Sequence, residues 1–484
     1  MGAPWRAWAA LGVLMLAYTV SFIDRTLLSL LIPPIQRDLG ISDTEASLLA
    51  GLAFAVFYTV MGIPLGRLAD RWHRRNLIAL GITVWCVMTA ACGLARNFWQ
   101  LFAARVGVGI GEASLSPAAY SLIADLFPRH LLGRAIAVYS IGLPVGSGLA
   151  LLVGGLVIGR VSDLGPMTLP VVGELAPWQL TFVLVGLPGI LVALLLLLVR
   201  EPERRDRAAS VGAAIVGAAS GRESLGVRGQ RPLPQSAQAP DLLPFLRRNR
   251  RVLLHHFTGL SLLVVIVYGS NAWIPTFFIR SHGWSATAIG YAYGLVFLTC
   301  GTAGLLAGGQ LADRWWRQGR TDAHLRVVLL SLVTMAPAFA LMGLVPSATA
   351  AVALLALATF TSSLHGGVAG AALQLITPNE LRGQMTAVYF FIANLIGLGV
   401  GPSAVALITD FGFADQQALG RSIAVLALLA APLSAVCLWT GLGPYRASVH
   451  ALQTAVAADG SATGAAPATH RSVPPPRPVR PPAR

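Results

Sequence analysis

One short charged phrase occurs twice in this chain, each time between long apolar stretches, and it limits the fold more than any other feature. The first copy is Gly66-Arg67-Leu68-Ala69-Asp70-Arg71-Trp72-His73-Arg74-Arg75; the second is Gly309-Gln310-Leu311-Ala312-Asp313-Arg314-Trp315-Trp316-Arg317. A second pair of segments, PRHLLGRAIAVY ending at Tyr139 and PNELRGQMTAVY ending at Tyr389, recurs at nearly the same offset. Two independent matches at nearly one offset imply two halves of similar build and the same orientation.

The stretches around these phrases are long enough to cross a bilayer, which takes about 20 residues of helix. Apolar runs fall at 7–32, 46–67, 77–95, 99–125, 132–159 and 179–199, and again at 252–279, 286–311, 326–345, 349–376, 384–409 and 421–442. The expectation is an all-α integral membrane protein of twelve transmembrane helices in two six-helix halves. Composition agrees: 11% of residues are charged, against roughly 25% in soluble proteins. The formal net charge of +15 points away from nucleic acid here, because the arginines gather in the loops, where they set topology. The chain has no lysine, a bias that suggests a bacterial, GC-rich coding sequence and rules out a lysine-dependent phosphate loop. Cys86, Cys92, Cys300 and Cys437 all lie in apolar runs without ligand spacing, so no metal, disulfide or cofactor is expected.

Loop cations fix the orientation. Arg67, Arg71, Arg74, Arg75, Arg129, Arg134, Arg314, Arg317 and Arg320 lie on one side, with Arg204, Arg205, Arg207, Arg247, Arg248, Arg250 and Arg251 of the central interval. The other side has Arg37, Arg96, Arg160 and Arg280. The positive-inside rule then puts both termini in the cytoplasm of a bacterial inner membrane. The expected layout is 1–203 for the first half, 204–245 for a flexible Ala/Gly/Ser/Arg/Pro linker, 246–446 for the second half and 447–484 for a disordered Pro/Arg-rich tail.

Charges inside apolar runs need a reason, because each costs at least about 2.5 kcal/mol at a helix centre. In the first half they are Asp24, Arg25, Arg105 and Glu112. Arg105 and Glu112 are seven apart and share a helix face, and Asp24 falls at an intermediate depth. Two carboxylates around one arginine read as a proton-coupling site; a static ion pair between the first and fourth helices is the alternative. Arg25, about 100° round the helix from Asp24, faces either the cavity or the interface. Further candidates for a substrate cavity are Tyr18, Tyr139, Asn271, Trp273, His365 and Asn394. Asp70, Arg71, Arg75, Asp313 and Arg314 form a candidate cytoplasmic gate, a charge network present in one state and broken in the other.

The duplicated phrase, together with Leu101-Phe102-Ala103-Ala104-Arg105-Val106-Gly107-Val108-Gly109 in the fourth run, resembles the signatures of the major facilitator superfamily. Asp24-Arg25, Gly109-Ile110-Gly111-Glu112-Ala113-Ser114, Asp125-Leu126-Phe127 and Leu143-Pro144-Val145-Gly146-Ser147-Gly148 resemble the Spinster family more narrowly. The resemblance implies a twelve-helix transporter, not an enzyme, whose cargo in animals is lysophospholipid or sphingoid lipid. Leu143 stands where the superfamily's antiporter motif has Gly, so that stretch does not establish export. The reading is a monomeric secondary transporter of an amphiphilic or anionic organic solute, with protons and membrane lipids as its other partners. An uncoupled facilitator and a non-transporting ligand sensor stay open.

Overall fold

The computed structural model describes residues 5–169, 173–202, 242–378 and 381–462. In the first half α1 is Trp5–Leu39, α2 runs through Asp43–Ser47, a π turn Leu48–Leu52 and Ala53–Arg71, and α3 is Arg74–Cys92. α4 comprises Phe98–Glu112 and Leu115–Leu126, α5 Arg129–Ser140 and Gly142–Leu164, and α6 Pro177–Gly186 and Gly189–Leu197. In the second half α7 is Arg250–His282, α8 is Ala286–Val296, a π turn Phe297–Gly301 and Thr302–Arg317, and α9 is Ala323–Met342. α10 comprises Ala348–Ser363 and Val368–Leu375, α11 is Arg382–Leu407 with a π turn Ile408–Phe413, and α12 is Leu419–Ala462. A small antiparallel hairpin, β1 Met167–Leu169 and β2 Gly173–Leu175, caps the step from α5 to α6.

Among the described residues, eleven of these helices are long and apolar enough to cross a membrane. The twelfth, α4, is interrupted at Ala113–Ser114, so neither piece reaches that length alone. Helices suit this environment because every backbone group is satisfied within its own segment. Two expected boundaries move. A short helix, Leu242–Arg248, occupies the end of the expected linker, and α12 continues to Ala462, past the expected start of the tail at 447. Just past the expected boundary α12 is still packed on its neighbours: Tyr445 and Val449 are buried, and Tyr445 Oη donates to Ala372 O at 2.9 Å. The remainder of the linker and residues 463–484 lie outside the described residues.

Each half packs chiefly within itself: α1 with α5, α3 with α4 and α6, α2 with α4; then α7 with α11 and α12, and α9 with α10 and α12. The halves meet along α1 with α7, α2 with α11 and α5 with α8. The start of α1, the end of α12 and the two duplicated turns share one end of the bundle, here the terminal end; the α1–α2, α7–α8 and α11–α12 turns lie at the far end. Close contact between halves concentrates toward the far end. A Cβ on Gly155 would meet Gly290 Cα at 3.2 Å, and Thr287 Oγ1 donates to Gly155 O at 2.9 Å. At the terminal end, Leu115–Leu126, Arg129–Ser140, Thr302–Arg317 and Val368–Leu375 pack on their own halves. Among the described residues, the close contacts between the halves therefore lie toward the far end.

Candidate functional site

The four intramembrane charges of the first half do come together, on α1 and α4. Two glycines explain the approach. A Cβ on Gly109 would stand 2.7 Å from Phe54 O, and one on Gly111 would stand 2.7 Å from Trp85 N. Bare backbone here lets α4 lie against both α2 and α3, which carries Glu112 to α1.

The pairing differs from the expected one. Glu112, not reached by Arg105, accepts from Arg25: Glu112 Oε2 lies 2.6 Å from both Nε and Nη2. The Glu112 side chain is fully buried, while that of Arg25 keeps 15% of its surface exposed. Three rings surround the Arg25 guanidinium: Phe54 at 4.4 Å, Tyr58 at 4.6 Å and Phe22 at 5.1 Å from its carbon. Such faces favour a cation that has left water. Arg105 is buried, donates from Nε to Leu49 O at 3.3 Å and lies 5.7 Å from the Phe54 ring. Among the described residues it has no ion pair within 4.0 Å, and its Nη1 has no hydrogen-bond partner. Asp24 is buried with neither carboxyl oxygen hydrogen-bonded, and Glu112 Oε1 is likewise unpartnered. The 100° step from Asp24 to Arg25 accounts for this split: one side chain is fully enclosed within the half, the other partly exposed.

The other expected cavity residues divide. Tyr18 is half-buried and stacks on Tyr139, with ring centroids 4.6 Å apart. Tyr139 itself is fully buried between Tyr18 and Tyr120, so it backs the wall instead of lining it. Trp273 is also fully buried, its Nε1 donating to Pro402 O at 2.9 Å; it fastens α7 to α11 and is not a cavity residue. Asn271 is half-buried and accepts from Tyr293 Oη at 3.0 Å. Asn394 is half-buried on α11. His365 sits at the break of α10 with an unpartnered Nδ1 and has no described contact with the Asp24 cluster.

At the terminal end the strongest charge network uses a residue that sequence reasoning left among many arginines. Arg74 is buried; it donates to Asp125, to Ser121 Oγ at 2.9 Å, to Pro202 O at 3.2 Å and from Nε to Glu201 Oε1 at 2.9 Å. Glu201 also accepts from the backbone N–H groups of Arg74 at 3.1 Å and Arg75 at 2.8 Å, at the α3 N-terminus. Burial pulls its carboxyl upward, but those two N–H groups and the Arg74 guanidinium outweigh that and hold it below the usual range. Arg75 Nη1 reaches the carbonyl of Leu197, the last residue of α6, and that of Val199 just beyond it, at 3.2 and 3.3 Å. This network joins α3, α4 and α6 within one half. Arg71, Asp313 and Arg314 are exposed, and the Asp70 side chain lies outside the described residues. Among the described residues, Arg71, Asp313 and Arg314 make no ion pair across the halves.

Comparison with known proteins fits this geometry. Residues 14–402 match the model of the Major Facilitator Superfamily. The chain is 32% identical over 448 residues to an MFS-type efflux pump of Mycolicibacterium smegmatis, covering 92% of this chain and 95% of that protein. It is 28% identical over 428 residues to human protein spinster homolog 1, covering 84% of this chain and 74% of that one. Among solved structures it is similar to a bacterial homologue of the human lysosomal transporter Spinster, in an inward-facing and unoccupied conformation. The TM-score is 0.69 and the identity 26%, over 93% of this chain and 98% of that one. The chain belongs to the Major Facilitator Superfamily and is similar to Spinster proteins, and a member of that superfamily is a transporter and not an enzyme.

Proposed function

We propose that the chain is a proton-coupled secondary transporter that moves an amphiphilic or anionic organic solute, of the lysolipid class, across the bacterial inner membrane by alternating access. The terminal end, with both termini, faces the cytoplasm, which makes the present arrangement inward-open. The observation that carries the reading is the Arg25–Glu112 pair, partly exposed and ringed by Phe22, Phe54 and Tyr58, with unpaired Asp24 and Arg105 buried behind it.

The chemistry follows from competition. An anionic headgroup entering between the halves is attracted to the Arg25 guanidinium, and its apolar part is accommodated by the surrounding rings. Arg25 then has less to give Glu112. A buried carboxylate that loses its cation must take a proton or find another partner. Arg105 is the cation nearest in the same cluster, and Asp24 is the second proton acceptor. Substrate and proton occupancy are thereby linked through one arginine. Asp70 and Asp313 with Arg71, Arg75 and Arg314 would engage when the cytoplasmic end closes; Arg71, Asp313 and Arg314 are exposed and free to do so. The likeness to an efflux pump favours export.

The test is substrate flux into proteoliposomes with and without a pH gradient. Glu112→Gln should abolish gradient-driven accumulation while leaving ligand binding measurable. Asp24→Asn should do the same if both carboxyls serve one proton. Wild-type gradient dependence in both variants reduces the cluster to a structural ion pair and moves attention to His365. Flux indifferent to the gradient in the wild type selects the uncoupled facilitator, and binding without flux selects the sensor.

A further inference from the structure

At the far end, the α1–α2 turn carries a buried acid that nothing above uses. Ser42 and Glu45 form a reciprocal cap, Glu45 N donating to Ser42 Oγ at 3.1 Å and Ser42 N to Glu45 Oε2 at 2.8 Å. This fixes Asp43 and Thr44 in the first turn of α2. Asp43 is fully buried. Its two oxygens receive both Nη atoms of Arg280, from the last turn of α7, at 2.8 and 2.7 Å. Gln36 on α1 completes a ring, donating to Asp43 Oδ1 at 2.7 Å and accepting from Arg280 Nη2 at 2.7 Å. One residue on, the backbone N–H and the hydroxyl of Thr44 both donate to Asp410 Oδ2 on α11, each at 2.7 Å. Ser47 Oγ lies 3.1 Å from Ser403 Oγ on the same helix.

The geometry points to a two-pronged outer latch: Asp43 held by Arg280, and Thr44 held by Asp410, together keep the far end shut. Apart from the Ser42–Glu45 cap and the Gln36–Asp43 brace, every one of these bonds joins the first half to the second. A planar guanidinium meeting a carboxylate with two parallel bonds is strong and sensitive to direction, so separation of the halves breaks it as a unit. When the far end opens, Asp43 and Arg280 exchange this pairing for water. The latch therefore exists in one state of the cycle only and sets the population of that state. It is complementary to the gate motifs at the other end, and it rests on the alternating-access reading.

The experiment uses the full chain in nanodiscs, with spin labels at Leu164 and Leu344, exposed far-end positions on opposite halves. Distances are read by double electron–electron resonance. Asp43→Asn and Arg280→Gln should each raise the far-end-open population by about tenfold, which corresponds to about 1.4 kcal/mol. The exchanged pair, Asp43→Arg with Arg280→Asp, should return it toward the wild-type value. Asp410→Asn, which keeps the side-chain shape, should shift the population in the same direction and carries the test if the Asp43 variants do not reach the membrane. Unchanged populations in these variants, while the wild type shows two distances, overturn the latch alone. An exchanged pair no better than the single variants also overturns it. A single wild-type distance under every condition overturns alternating access and the latch together.

Discussion

Gly290→Ala offers a direct test of how the far end closes. Gly290 on α8 faces Leu151 and Gly155 on α5 across the boundary between the halves. A Cβ there would stand 2.6 Å from Leu151 O, 3.0 Å from Gly155 Cα and 3.4 Å from Gly155 N. All three are backbone atoms, so no side chain can turn aside; the two helices must separate. Forcing extra volume into a packed contact costs typically about 1–3 kcal/mol. Alanine also favours the helix over glycine by roughly 0.5–1 kcal/mol, but it does so in both conformations, so that term cancels. The net effect falls on the far-end-closed state alone and corresponds to roughly a 5–150-fold change in its population. Label pairs across the two ends would report it as longer far-end and shorter terminal-end distances. Gly62→Ala, where a Cβ would meet nothing within 4 Å, is the matched control and should leave the populations unchanged. A folded, thermally stable Gly290→Ala protein with wild-type distances at both ends would refute the reasoning, because the α5–α8 contact could not then be what closes the far end.

Four other outcomes are expected. Arg25→Lys keeps the charge but loses the paired contacts to Glu112 and the planar stacking on Phe54 and Tyr58, so substrate affinity measured by titration should fall by about tenfold or more; unchanged affinity would remove Arg25 from the binding step. Arg74→Met leaves Glu201 and Asp125 without their cation, and removing one partner of a buried pair costs about 3 kcal/mol; differential scanning fluorimetry in detergent should show a clear loss of thermal stability. Glu201 is held below its unfolded value, so its contribution is present above the normal carboxylate range and is lost as pH falls through the lowered value; Glu201→Gln should flatten the acid limb of the stability profile, and an unaltered limb would count against it. Cysteine labelling should mark 160–178 from outside intact cells and 204–243 only after permeabilisation, with the reverse pattern refuting the assigned topology.

The spans and their pairing into halves could be read from the sequence because lipid imposes a minimum helix length and a strong contrast between span and loop. The same contrast exposed Asp24, Arg25, Arg105 and Glu112, since a charge in an apolar run stands out. Which arginine Glu112 would meet could not be read. That depends on how α1 is rotated and how closely Gly109 and Gly111 let α4 approach, and spacing along one helix does not fix either. Asn271 and Trp273, two apart on α7, looked equivalent as polar or amphipathic cavity candidates. Only packing separates a half-buried amide bonded to Tyr293 from an indole locked onto Pro402. Arg74 and Arg280 were obscured for another reason. Each belongs to a set of loop cations whose common role is topology, and burial against a specific carboxylate is what distinguishes them.

The length of α12 has a practical consequence. At 1.5 Å per residue its 44 residues would extend about 66 Å if straight, roughly twice the hydrocarbon thickness of about 30 Å, and Pro432 and Pro444 shorten that reach by bending it. Its stem beyond the bilayer is tied to α10 through Tyr445 and Ala372. A fluorescent reporter fused after Ala462 would ride on the helical stem that Tyr445 fixes to the second half. With an acceptor dye at the start of α1, small tilts between the halves would be magnified into changes in energy transfer large enough to follow one molecule turning over in real time.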